Sequence, residues 1–237
     1  MSKTTDFPAA QFDQAGLNRQ HVFDLPPLPA EISKKLGDTT GFRQLILLGH
    51  GGKRLWECVQ ATALTGENPI DDYTVQTIAA VFAQQLAGKR YRIIYPGDTP
   101  VGLQQLGKLA GWHHPSPFMV GIDSEWGSWF AYRAAILADT DFLPFLPVDR
   151  SSPCPNCVAQ PCRSTCPASA LTGNNFALDK CIAYRRQADS ACQYTCLARI
   201  SCPAGSEHRY GDAQLHHTYS RSLSMIERYY PSQPGLG

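Results

Sequence analysis

Eight of the nine cysteines lie between Cys154 and Cys202. They read Cys154-x2-Cys157-x4-Cys162-x3-Cys166-Pro167, then Cys181, then Cys192-x3-Cys196-x5-Cys202-Pro203. Each group ends in Cys-Pro. Close spacing lets one loop wrap several soft thiolates around a small volume, and a remote Cys-Pro can close the cage begun by the other group. On that logic Cys154, Cys157, Cys162 and Cys202 hold one four-iron, four-sulfur cluster, and Cys181, Cys192, Cys196 and Cys166 hold a second. Three alternatives stay open. Structural zinc also takes thiolates, although it favours two Cys-x2-Cys pairs and has no use for the paired Cys-Pro. Disulfides would require an oxidising compartment. The wider x3 and x5 spacings of the second group leave room for one intact and one degraded cluster.

Other residues could do chemistry with less to distinguish them. Gly49-His50-Gly51-Gly52 follows a short apolar run, the geometry of a strand turning into a helix beside a phosphate. It lacks the GxGxxG spacing of a dinucleotide site, and a tight turn accounts for it as well. Asp71 and Asp72 begin a helical pattern, where carboxylates complement the first-turn amides. His50, His113 and His114 are candidate ligands, or histidines of turns and surface. Glu207-His208-Arg209-Tyr210 follows the last cysteine closely enough to approach a cluster. Cys58, outside the cysteine region, has apolar neighbours and reads as a buried free thiol.

The elements that must position these residues can be read from periodicity. The chain has 237 residues, 43% hydrophobic and 17% charged, which is a globular rather than a disordered composition. Net charge is +1, so no broad footprint for nucleic acid or anionic lipid is expected. Met1–Leu25 lacks a signal pattern, and no apolar run approaches the ~18 residues of a membrane span. A soluble, cytoplasmic protein with no membrane partner is expected. Residues 1–41 form an N-terminal arm broken by Pro26, Pro27 and Pro29. Arg43–Gly49 and Tyr91–Tyr95 are strands, and Asp71–Ala87 and Val101–Ala110 are helices stopped at Gly88 and Gly111. Phe118–Ile122 and Trp129–Leu137 complete an α+β (α/β) sandwich over 42–147. Pro144 and Pro147 lead into a module over 148–237, closed by a helix from Asp212 to Tyr230.

Two stretches resemble known families. The run Gly102–Trp112 (GLQQLGKLAGW) followed by Phe118–Phe142 resembles epoxyqueuosine reductase, with Gly127-Ser128-Trp129 matching its Gly-Ser-Trp signature. Leu178-Asp179-Lys180-Cys181-Ile182-Ala183-Tyr184 is similar to that family's segment around an isolated cluster cysteine. Gly127-Ser128-Trp129-Phe130-Ala131-Tyr132-Arg133 is also similar to the CblC-type cobalamin-processing protein. The cysteine region resembles a two-cluster 4Fe–4S ferredoxin module. The resemblance implies a nitroreductase-like cobalamin-type domain followed by a small ferredoxin-like iron–sulfur domain. It implies two 4Fe–4S clusters and cobalamin as cofactors, with Trp112, Gly127, Ser128, Trp129 and Arg133 at the corrin, Trp126 as a further aromatic for its flat face, and Asp72 as proton donor.

The same comparison shows departures. Asp72-Tyr73-Thr74 keeps the Asp and Tyr of that family's Asp-Tyr-His but lacks the His. Its Gly-Lys after the glycine–tryptophan turn is missing, and its C-terminal helical-repeat domain is not in this sequence. With net charge +1, tRNA is a doubtful substrate. The expected function is an iron–sulfur redox protein, a cobalamin-dependent reductase whose clusters pass electrons to the corrin cobalt. An electron donor such as a flavodoxin or ferredoxin system and a small-molecule or nucleoside-like substrate would serve it. The alternatives are a cobalamin reduction or trafficking protein and a ferredoxin-type electron carrier with no corrin.

Overall fold

The computed structural model describes residues 7–148, 151–173 and 175–230. The first six residues of the expected arm and the last seven of the closing module lie outside them. Contacts divide the chain into two units, Met1–His113 with Trp129–Arg150, and His114–Ser128 with Ser151–Gly237.

The first unit contains α1 (Ala9–Gln14), β1 (Arg19–Asp24), α2 (Ala30–Ser33), β2 (Gln44–Gly51), α3 (Arg54–Gln60), α4 (Pro69–Gln85), β3 (Tyr91–Tyr95), α5 (Leu103–Leu109) and β4 (Phe130–Ala138). Its sheet runs β1-β2-β4-β3 with every neighbouring pair antiparallel. The fold is therefore α+β. Strand β2 is buried along its whole length because both sheet faces are covered. Ile46 and Leu48 pack with Phe12, Leu55, Ile78 and Phe82 on one face. Leu45 and Leu47, one residue out of phase, pack with Ile32, Leu36, Leu106 and Trp112 on the other. A strand whose successive side chains alternate faces must be apolar throughout when both faces are dry.

Three expectations are corrected here. Residues 1–41 were expected as a surface arm, but β1 pairs with β2 from Arg19↔Gly49 to Asp24↔Gln44, and Phe12, Leu17 and Val22 are core. The Gly49-His50-Gly51 run is the end of β2, with a register shift at Leu48/Gly49, and the chain turns only at Gly52. Phe118–Ile122 forms no strand. Pro115 and Pro117 have no N–H to give a ladder, and a turn from Ser116 to Met119 leaves one bridge, His114↔Ile122.

The second unit contains α6 (Pro161–Ser164), the hairpin β5 (Leu171–Thr172) and β6 (Asn175–Phe176), α7 (Leu178–Arg185), α8 (Leu197–Ile200), a 3-10 turn (Ser206–His208) and α9 (Asp212–Tyr229). Its core is small and sulfur-rich: Phe118, Ile122, Leu171 and Ala198 with Cys162 and Cys202, flanked by Cys154, Cys166 and Cys196. Helix α9 buries Leu215 and Leu223. Among the described residues, no helix is long and apolar enough to cross a membrane.

Candidate metal centre

Short turns present the thiols. The Cys157 amide donates to the Cys154 carbonyl at 3.1 Å, and Ser152 Oγ accepts from the Cys154 amide at 3.4 Å. Pro161 starts α6, where its missing N–H is harmless, and puts Cys162 in the first turn. Cys166 opens a turn closed by the Ser169 amide at 3.0 Å. Cys181 lies on α7 and Cys196 caps α8, while Ser190 Oγ accepts from the Cys192 amide at 3.2 Å. The Cys202 amide bonds the Arg199 carbonyl at 3.2 Å. The hydroxyls of Thr165 and Ser201, 2.8 Å apart, tie the residue before Cys166 to the residue before Cys202.

The thiols fall into two electrostatic neighbourhoods. Cys154 feels Cys157 and Cys162, Cys162 feels Cys157 and Cys202, and Cys202 feels Cys154 and Cys157. Cys181 feels Cys196, Cys166 and Cys192, and Cys196 feels Cys192 and Cys166. A cavity of about 850 Å³ opens over the first neighbourhood, lined by its four thiols with Pro153 and Pro155. All nine cysteines are free. Burial pushes the Cys154, Cys162, Cys192, Cys196 and Cys202 thiols up, and Cys181 up to about 11, with neighbouring sulfurs adding to the effect. A cation must offset that cost before thiolates can form there, so loading would release protons. Among the described residues, no three His, Cys, Asp or Glu gather tightly enough to hold a single metal ion. One tetrahedral zinc needs its thiolates about 3.8 Å apart, from Zn–S bonds of about 2.3 Å; a four-iron cluster gives each thiolate its own iron.

The remaining candidates are scattered. Gly127, at φ +55°, leaves no room for a side chain: a Cβ would stand 1.9 Å from the Ala204 carbonyl oxygen. Ser128 is fully buried and accepts from Arg199. Trp129 is also fully buried, in the first unit. Trp126 lies against His208 with the rings tilted and their centroids 4.3 Å apart, within the second unit. Trp112 is 3% exposed beneath the Arg19 guanidinium, 4.7 Å from its ring. Arg133 Nε donates to Nδ1 of the buried His50 at 3.0 Å. His113 Nδ1 lies 3.2 Å from the Tyr132 hydroxyl.

Asp72 is exposed on the first turn of α4. Asp71 is the carboxylate that faces inward electrically: with burial it raises the Tyr95 hydroxyl above its ordinary value, against Arg133, which lowers it. Pattern reading could not separate two adjacent aspartates, and it gave Tyr95 no role because a strand aromatic looks like core. Cys58 is half-buried rather than buried, with Sγ 3.5 Å from the Gln14 carbonyl.

No protein-family model matches the sequence, and no curated protein does. Solved structures of epoxyqueuosine reductase share its fold. The Bacillus subtilis enzyme, with its catalytic loop swung out of the active site, is 10% identical with a TM-score of 0.50 over 86% of this chain and 66% of that one. An epoxyqueuosine reductase with a tRNA-Tyr epoxyqueuosine-modified stem loop is 11% identical, with a TM-score of 0.51 over the same shares. The Streptococcus thermophilus enzyme is 14% identical with a TM-score of 0.49, over 83% of this chain and 64% of that one. The chain thus spans 64% to 66% of the length of these structures. At such identities the likeness is one of fold.

The stem-loop structure corrects one expectation. A tRNA partner was set aside as doubtful in part because net charge is +1. A structure of this fold nevertheless holds a tRNA stem loop. Net charge is a sum over the whole chain and does not describe the local patch a nucleic acid meets.

Proposed function

We propose that this protein is an iron–sulfur oxidoreductase carrying two four-iron clusters, one on Cys154, Cys157, Cys162 and Cys202, the other on Cys166, Cys181, Cys192 and Cys196. The observation that carries the reading is the grouping of eight free thiols into two sets of four neighbours, five of them in or against one small core. In this reading each set takes its fourth member from the Cys-Pro of the other group, the pairing that the spacing suggests. Bound clusters supply one-electron chemistry; the chain supplies the ligands, the shelter of Phe118, Ile122 and Leu171, and the backbone amides around the sulfurs.

The finer reading, electrons passed to a corrin cobalt, rests on the Gly127-Ser128-Trp129 and Arg133 resemblance. Those residues fit a packing role better: Gly127 meets backbone, Ser128 holds Arg199, Trp129 is core and Arg133 is committed to His50. We therefore propose the reductase without an assigned corrin site. By analogy of fold, a modified nucleoside carried in a tRNA stem loop is the substrate class to test first.

The test is anaerobic purification followed by titration with dithionite, monitored by absorbance and electron paramagnetic resonance. Reversible bleaching with a four-iron signal, lost when Cys162 and Cys181 are both replaced by alanine, is the expected result. A protein that takes up no electrons would sink the assignment. Adding hydroxocobalamin to the same sample decides the corrin: unchanged absorbance bands are expected, and a shift to a base-detached form would restore the corrin contacts.

A further inference from the structure

We infer that Arg185 and Arg199 raise the reduction potential of the second cluster above that of the first, so that a single electron entering the protein comes to rest on the Cys166, Cys181, Cys192 and Cys196 set. This rests on the two-cluster reading above. Both guanidinium groups are buried, each residue 6% exposed. Arg185 stands one helical turn after Cys181 on α7, a spacing that puts both on one helix face, and Arg199 lies on α8, whose N-cap is Cys196. Both charges act on the set: Arg185 on Cys181 and Cys192, Arg199 on Cys196.

Their surroundings fix them in place. Arg185 donates to the Cys192 carbonyl at 3.2 Å, the Ser222 hydroxyl at 3.0 Å, and the Gln193 and Tyr219 carbonyls at 3.3 and 3.0 Å, all neutral acceptors. Arg199 donates to the Ser128 hydroxyl and carbonyl and lies 5.1 Å over the Tyr210 ring. The Arg185 guanidinium also lies 5.3 Å over the Tyr219 ring. The first set also has two arginines, Arg163 beside Cys154 and Cys162, and Arg209 beside Cys202. Both of those residues are less buried, and although the Nε of each is closed off, water reaches part of each side chain and screens it more than Arg185 and Arg199.

Four thiolates make each cluster an anion, and reduction adds one electron, taken from a one-electron donor, with no bond made or broken. Burial alone disfavours the added charge. A fixed cation in the same low dielectric favours it, and the dielectric that magnifies the first effect magnifies the second. Two buried cations around one set and two partly screened cations around the other tilt the balance toward the second.

The test is a redox titration of the whole reconstituted chain, read by electron paramagnetic resonance, with iron counted in every sample. Two one-electron waves are expected. Cys157→Ser, on a loop of the first set, should alter only the lower wave. Arg199→Gln and Arg185→Gln should each lower the upper wave by about 59 mV, a tenfold shift for a one-electron couple, while Arg209→Gln leaves it in place and Arg199→Lys restores it. An upper wave that responds to Cys157→Ser overturns the inference without any arginine variant, so a Gln variant that fails to fold leaves it testable. Full iron content with unmoved waves in both Gln variants also overturns it. Absence of iron instead overturns the two-cluster reading beneath it.

Discussion

Arg199 reaches across the second unit to Ser128, donating from Nε to the hydroxyl at 3.3 Å and from Nη2 to the carbonyl oxygen at 2.5 Å. The Gly-Ser-Trp signature thus meets the cysteine region through its serine, as a brace for a buried charge. Ser128→Ala removes one acceptor from a buried guanidinium and leaves the carbonyl bond. It should cost about 1 to 2 kcal/mol, seen as an earlier midpoint in urea with an unchanged slope. An unchanged midpoint would show that the Ser128 hydroxyl is not needed to hold Arg199.

The neighbouring glycine is tighter still. Gly127 and Gly205 both have positive φ and press backbone to backbone; a Cβ on Gly205 would stand 2.3 Å from the Trp126 carbonyl carbon. Gly127→Ala combines left-handed strain with overpacking and should cost about 3 kcal/mol. Gly211→Ala is the control, because nothing lies within 4 Å of a Cβ there. Thermal melts of the two variants should separate clearly; equal melting temperatures would contradict this account of the turn.

His21 supplies a pH dependence. It is 2% exposed, its ring tilted against Phe23 at 4.3 Å between centroids, and burial lowers its pKa to about 4 from 6.5. The folded state therefore binds fewer protons than the unfolded chain between these values, and stability must fall as pH drops through that window. The loss amounts to about 3 kcal/mol once pH is below 4. His21→Phe should flatten the unfolding free energy between pH 6.5 and 4. An identical pH profile in the variant would remove His21 from the acid response.

Much of the first unit is legible in its residues. Tyr91–Tyr95 is bounded by Arg90 and Pro96, and Pro69–Gln85 carries its apolar residues at three- and four-residue steps with acidic residues in the first turn. Strand β1 is not legible. Arg19 and His21 are buried polar residues whose cover is aromatic, Trp112, Phe130 and Phe145, and that cover exists only once the chain has folded. The prolines after β1 suggested an arm because they break the chain locally, although the segment before them pairs with β2. In the second unit, spacing suggests how the thiols divide, since ligand geometry acts at short range. The buried arginines beside them are invisible in spacing, because charged residues in a pattern read as surface.

Cys58 and Cys162 offer a sharp contrast. Cys58 lies in the first unit, half-buried beside the Gln14 carbonyl and Tyr73, while Cys162 is buried among three other thiols. Cys58→Ala should leave the iron content unchanged. Cys162→Ala should remove about four irons per chain, with loss of absorbance in the visible. Equal iron in the two variants would show that Cys162 is no ligand.

The most direct measurement is the metal and sulfide content of the protein purified without oxygen. The two-cluster account predicts about eight irons and eight inorganic sulfides per chain, with all eight thiols of the region unreactive until iron is removed. Zinc in place of iron, or disulfides with no metal, would contradict it.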